Sequence, residues 1–205
     1  MLSIVEGRVL GCLLEKERTT PDQYPLTLNA LVSACNQSTS RDPVMTVDPN
    51  DVDTAITSLK GQGLTRLVHP SHGRSVTRFR QVADEHFTWT TGQAALMAVL
   101  LLRGPQTIVE LRTRSERQYA FESIDIVDAT LLSLAAQDAS PDGPVVVLLD
   151  RVVGQKELRW QQLIAEEAEH APRTQSIAPA GGLTDRVAEL EARVATLEAA
   201  LADLL

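Results

Sequence analysis

The segments VDTAITSL (Val52–Leu59) and VDATLLSL (Val127–Leu134) lie 75 residues apart and agree at four of eight positions. A separation of that size is a domain-sized repeat, not a solenoid period. Each segment places Val, Ile or Leu, and Leu on one helical face, and the same element order can be read around both. A helix with Val5, Val9, Cys12 and Leu13 on one face stops near Thr19-Thr20-Pro21. Leu28, Leu31, Val32 and Cys35 mark a second helix. Val52, Ala55, Ile56 and Leu59 mark a third, started by Asp48-Pro49 and closed by Gly61 and Gly63. Two β-prone runs follow, Leu64–Val68 and Val76–Val82, around the turn-forming stretch His69–Ser75. In the second half one helix carries Ala95, Leu96, Val99 and Leu100 and stops at Gly104-Pro105. The next opens on the capping box Thr107–Glu110, and the third carries Val127, Leu131 and Leu134. Strand-like Val145–Leu149 and Leu158–Gln162 close the repeat around Gly154.

Three helices and a hairpin, twice over, predict a mainly α chain with small β-hairpins (α+β), built as two tandem winged helix-turn-helix domains. The expected boundaries are 1–83 and 84–169. Residues 170–182 carry Pro, Gly and Ser and read as a flexible linker. Residues 183–205 then show Leu183, Val187, Leu190, Val194, Leu197, Leu201 and Leu204 in steps of four and three, a heptad seam. Val at a with Leu at d favours a parallel two-stranded coil. Arg186 and Arg193 at g would face Glu191 and Glu198 at e of a partner. A homodimer is therefore expected, with a tail helix packed on its own domain as the alternative.

Hydrophobic residues make up 43% of the chain and aromatic residues only 3%, so any core must be aliphatic. The net charge of −8 counts against a nonspecific nucleic-acid coat, but the charge is uneven. Residues 1–83 hold nine Lys or Arg against eight Asp or Glu; residues 84–168 hold seven against thirteen. A polyanion surface is expected in the first third. Cys12 and Cys35 fall on apolar helical faces, which fits a reducing compartment. The sequence shows no signal-peptide pattern, and no stretch reaches the ~18 apolar residues of a membrane span. A cytoplasmic protein is expected.

The stretches VLGCLLEKERTTPDQYPLTLNALVSACNQSTSRDPV (Val9–Val44), LLLRGPQTIVELRTRSER (Leu100–Arg117) and GQKELRW (Gly154–Trp160) are long and unusual. Through them the chain resembles the YceH family of bacterial proteins over about residues 4–165. The resemblance implies a tandem winged-helix fold and implies no reaction. The heptads lie outside it, so dimerisation rests on them alone.

In a winged helix the third helix enters the major groove and the wing touches backbone or minor groove. The outward residues expected on that helix include Thr54, Thr57, Ser58 and Lys60, which suit base edges or phosphates. Asp48, Asp51 and Asp53 at its start either repel phosphates or serve as caps. On the hairpin, Arg66 and Arg74 flank the turn, and Arg78 and Arg80 share a strand face. Together they can neutralise a few phosphates. The stretch Asn36–Pro43 reads as a self-capped loop in which Arg41 pairs with Asp42 or a nearby carboxylate, or as a contact for nucleic acid or a small ligand. Arg103, Arg112, Arg114 and Arg117, with Glu110 and Glu116 among them, read as an internal salt-bridge network or a domain contact, with DNA contact as the alternative. Lys156 and Arg159 are slight support for a second wing. His69 and His72 lack a third metal ligand nearby, and no phosphate loop or nucleophile elbow is present. No enzyme, metal or cofactor is expected. The expected function is a homodimeric, transcription-regulator-like protein that binds double-stranded DNA. The alternative is a protein-interaction adaptor on tandem winged helices.

Overall fold

A computed structural model describes residues 1–68, 76–151 and 157–167. The chain forms two units, Met1–Glu169 and His170–Leu205. The second unit lies outside the described residues, and with it the expected linker and heptad helix.

The first helix begins with a capping box. The Ser3 hydroxyl accepts from the Glu6 amide and the Ser3 amide donates to the Glu6 carboxylate, which satisfies two of the amides orphaned at a helix start. Helix α1 (Ile4–Thr19) follows, then a single 3-10 turn (Pro21–Gln23) and a two-residue strand β1 (Leu26–Thr27). Thr27 caps α2 (Leu28–Cys35), and Asp48 caps α3 (Pro49–Gly61) by accepting from the amides of Asn50 and Asp51. Strands β2 (Thr65–Val68) and β3 (Arg78–Gln81) pair antiparallel, and β1 adds to β3, giving the order β1-β3-β2. A short helix that the hydrophobic pattern does not announce, α4 (Ala83–Phe87), ends at Thr88 in the left-handed region (φ 55°) and stacks Phe87 on Trp89.

The second half repeats this order. Thr90 and Gln93 form a capping box for α5 (Thr91–Arg103), and Thr107 and Glu110 form one for α6 (Ile108–Ser115). Ser123 caps α7 (Ile124–Leu134), and strands β4 (Val146–Leu148) and β5 (Trp160–Gln162) pair antiparallel. Even the third strand has its counterpart: Leu26 pairs with Phe79 before α2, and Gln106 bridges Trp160 before α6. The two halves differ mainly in loop length. Thirteen residues, Asn36–Asp48, join α2 to α3, whereas eight, Glu116–Ser123, join α6 to α7. The strands are shorter than the β-prone runs predict: β2 lacks the first residue of its run and β5 the first two.

Helix α1 is buried along Gly7–Leu14 without interruption, more than one apolar stripe requires. The cause is α5, which packs against its other side. Gly7 and Gly11 let the helices close: a Cβ on Gly11 would lie 3.0 Å from Leu102, and one on Gly7 would lie 2.8 Å from the Cβ of Ala165. Leu2 completes the seam as a parallel bridge to Ala165, its amide donating to Ile164 O and its carbonyl accepting from Glu166 N. The core is aliphatic, as the composition requires. Among its most deeply buried side chains are Leu10, Leu13, Leu14, Leu31, Leu59, Leu96 and Met97. Among the described residues, no helix is long and apolar enough to cross a membrane.

Candidate nucleic-acid interface

The inner face of α3 is Val52, Ala55, Ile56 and Leu59, all buried, so the residues between them must point outward. Thr54, Thr57, Ser58 and Lys60 are all exposed, as are Asn50 and Asp53. Ser58 is committed elsewhere: its hydroxyl accepts from Gln62 Nε2 at 3.2 Å and lies in hydrogen-bond contact with Glu6. The carboxylate of Glu6 therefore sits at that end of the helix face. The acids at the start of α3 have a structural use, since Asp48 is the cap and Asp51 occupies the first turn.

Alternation along β3 buries Phe79 and Gln81 and turns Arg78 and Arg80 to the other face. Arg66 lies directly across from Arg80 in the ladder. Like charges placed opposite each other destabilise a hairpin. Glu85 on α4 relieves this by bridging both, at 3.3 Å from Arg66 and 3.1 Å from Arg80. These are exposed pairs, weak enough to exchange for another anion. Arg78 is differently placed. Its Nη1 donates to Pro25 O at 2.7 Å and to Gln23 O at 3.4 Å, so it also fastens β1 to the hairpin. Lys60 and Arg66 line one shallow hollow of about 400 Å³ between the end of α3 and β2, with Gly63, Thr65, Leu67 and Val82. The structure thus brings Lys60, Arg66 and Arg80 together, with Thr54 and Thr57 on the adjoining exposed face. Arg74, with His69 and His72, lies outside the described residues.

Behind this face, α1 holds the long loop through two buried arginines. Arg41 Nη1 and Nη2 reach Glu15 Oε1 and Oε2 at 3.1 and 2.7 Å, a two-point pair, while its Nε donates to Ala34 O. Arg8 donates to Pro43 O at 2.7 Å and to Cys35 O at 3.4 Å. Asn36 closes the loop by exchanging two hydrogen bonds with Val47. The two-point carboxylate partner of Arg41 is therefore Glu15 of α1, and the loop is held by α1 as well as by its own Asn36–Val47 bonds. Burial alone raises the Glu15 pKa, but the hydrogen bonds and charge of Arg41 outweigh it and hold the carboxyl below its ordinary value. Cys12 and Cys35 are both free and buried. The hydrogen bond to Cys12, with burial, pushes the Cys35 thiol far up, so it stays protonated.

In the second half the expected ion-pair network is narrower than the sequence implies. Glu110 is shared by Arg114 (3.2 Å) and Arg159 (2.8 Å). Arg159 is thereby a structural residue of the second hairpin and no longer supports a second wing; Lys156 lies outside the described residues. Arg112 donates to the carbonyls of Phe121 and Glu122. Among the described residues, Arg103 and Arg117 form no ion pair. Sequence reasoning misses both Glu85 and Arg8. Arg8 carries a usable signal, a cation at position i+3 from Val5 and i−4 from Cys12, inside an apolar stripe. Glu85 carries none, since its partners are set by the hairpin register.

What emerges is a mixed α+β protein of two repeated three-helix-and-hairpin halves, with an exposed polar helix beside an arginine-bearing hairpin in the first. Residues 2–155 match the family described as "Protein of unknown function, DUF480". The chain is 43% identical over 203 residues to a UPF0502 protein of Dechloromonas aromatica, covering 99% of this chain and 92% of that one. It is 41% identical to a UPF0502 protein of Geobacter sulfurreducens (100% and 90% covered) and 43% identical to one of Shewanella amazonensis (100% and 98% covered). The chain belongs to this bacterial DUF480/UPF0502 family, of which YceH is a member. Alignments over 99–100% of the chain include residues 170–205, beyond the reach of the motifs read in the sequence.

Proposed function

We propose that this chain is a double-stranded DNA-binding, transcription-regulator-like protein built from two winged-helix repeats, with the first repeat as the reader. The observation that carries this reading is the shared hollow of Lys60 and Arg66, flanked by Arg80 and by the exposed Thr54 and Thr57 of α3. In this arrangement the cations hold phosphates and the threonines face the groove. The heptads at Leu183–Leu204 pair two chains, so that two such faces address two half-sites. The DNA phosphates would replace Glu85 as the partner of Arg66 and Arg80.

The test is binding to random duplex DNA across a salt series, comparing the full chain with Lys60→Ala/Arg66→Ala. These two side chains are better probes than Arg78, whose loss would also loosen β1. The expected result is salt-dependent binding whose log–log slope falls by about 2 in the variant, roughly 0.9 for each phosphate that is no longer held. No binding at low salt would sink the proposal.

A second reading is favoured by α7 alone. Its outward face presents Ile126 and Leu132 beside Asp125 and Asp128, a mixed apolar and acidic surface suited to protein and not to phosphate. An adaptor role would place the partner there and leave the Lys60/Arg66 variant without effect on partner binding.

A further inference from the structure

A cavity of about 190 Å³ lies where the two halves meet. The end of α1 contributes Lys16, Thr19 and Thr20; the loop after α2 contributes Gln37, Thr39 and Ser40. The end of α5 contributes Arg103, and α6 with the turn after it contributes Arg114, Arg117 and Gln118. Its lining therefore holds four cations and one carboxylate, Glu15, in a protein whose net charge is −8. Glu15 is engaged at two points by Arg41 and also pairs with Lys16 at 3.4 Å, so it balances Lys16 and leaves the three arginines to other partners.

Cations at helix C-termini are common, because they complement the helix dipole. Three helices, α1, α5 and α6, end here. Those helix ends, at roughly −0.5 charge each, sit beside cations of which Arg114 already pairs with Glu110 at 3.2 Å, which leaves Arg103 and Arg117 as the two lining arginines without an ion pair among the described residues. The arginines also act on one another. Arg103 is held below the ordinary guanidinium pKa by burial first and by the charge of Arg114 next. Arg114 Nη1 and Gln118 Oε1 are buried without a hydrogen-bond partner, on two residues that line the cavity. A buried polar atom left without a partner is destabilising. Converging like charges and the orphaned donor Arg114 Nη1 describe a site adapted to something that is negative and accepts hydrogen bonds, while Gln118 Oε1 would accept from a hydroxyl or a water carried with it.

We propose that this cavity binds a small phosphate-bearing anion, gripped by Arg103, Arg114 and Arg117 from the second half and by Lys16 from the first. Guanidinium groups suit phosphate because their paired N–H donors match its oxygens. The volume has room for roughly six waters at 30 Å³ each, enough for one or two phosphate groups with a short organic stem. The hydroxyls of Thr39 and Ser40 supply further donors, whereas those of Thr19 and Thr20 already donate to Glu15 O and Lys16 O. The ligand would touch both halves, so it acts as a clasp across the α1–α5 seam. The proposal is independent of DNA binding.

The probe is inorganic pyrophosphate, titrated calorimetrically into the full chain without DNA, with sulfate at matched ionic strength as the comparison. The variants are Arg103→Gln/Arg117→Gln and Arg117→Gln alone, each checked for its own melting transition. The single variant decides if the double one does not fold. The expected result is saturable binding of one pyrophosphate per chain, weakened about tenfold or more in the double variant. Lys60→Ala/Arg66→Ala should leave it unchanged. Binding equal in wild type and variants, or no binding preferred over sulfate, overturns the site. Displacement of pyrophosphate by duplex DNA also overturns it, since the phosphate recognised would then be that of nucleic acid.

Discussion

Arg41 and Glu15 show how much a single pair can decide. The Arg41 side chain is fully buried and that of Glu15 is 13% exposed, so removing either partner strands a charge in the interior. Loss of one partner of such a pair costs about 3–5 kcal/mol. Arg41→Ala or Glu15→Ala should lower stability by that order in denaturant titrations, against well under about 1 kcal/mol for Glu85→Ala at the exposed pairs. The same pair sets an acid limit. The Glu15 pKa is lower folded than unfolded, so its contribution is complete above the ordinary carboxyl value of 4.5 and is lost as pH falls through and below it. Glu6 and Glu110 shift in the same direction, and Glu17, raised by burial, opposes them. Stability measured from neutral pH downward should hold until about pH 5 and then fall, less steeply in Glu15→Gln. An equally steep fall in that variant would place the acid limit elsewhere. The sequence shows that Arg41 needs a carboxylate. It does not show that the partner is 26 positions earlier on α1, because the pairing is made by tertiary packing.

At the level of elements, the capping signals are the most legible part of the chain. Asp48 and the Thr107–Glu110 box start α3 and α6 where the sequence places them, since a cap is a local bond between residues three apart. Helix α4 is illegible: five residues give no periodicity to read, and its stacking of Phe87 on Trp89 depends on a turn. Yet α4 carries Glu85, which governs the charge of the arginine face. On the proposed function, Glu85→Gln should tighten DNA binding and steepen its salt dependence, because Arg66 and Arg80 lose a competing anion. Weaker binding in that variant would count against phosphate contact at this face. The α1–α5 packing makes a separate demand. Ala165 has no rotamer with which to retreat from a side chain at Gly7, so Gly7→Val should destabilise by about 1–3 kcal/mol despite replacing a helical glycine. A thermal melt unchanged from wild type would show that the seam can shift.

For the whole molecule, the repeat legible in one pair of octapeptides extends to both hairpins and to the bridge before each second helix. What the octapeptides do not reveal is that the first helices of the two halves bury each other, because the side chains that permit it are glycines and carry no hydrophobic signal. The arginine network of the second half is legible only in part, since sequence proximity does not tell a paired cation from one that faces a cavity. If the heptads pair two chains, Leu190→Asp/Leu197→Asp should halve the mass seen by sedimentation and weaken DNA binding through loss of the second half-site. A dimer that survives in this variant would move the interface off the tail. The seam between α1 and α5 finally bears on how the chain is made. About ninety residues separate Gly11 from Leu102, roughly 5–20 s of synthesis at ordinary elongation rates. During that interval the nascent first half has one side of α1 with nothing to cover it. The N-terminal strand residue Leu2 waits longer still, for Ala165. The ribosome therefore releases a first half that must remain soluble with its apolar seam open, and native closure is a late event in the life of each new chain.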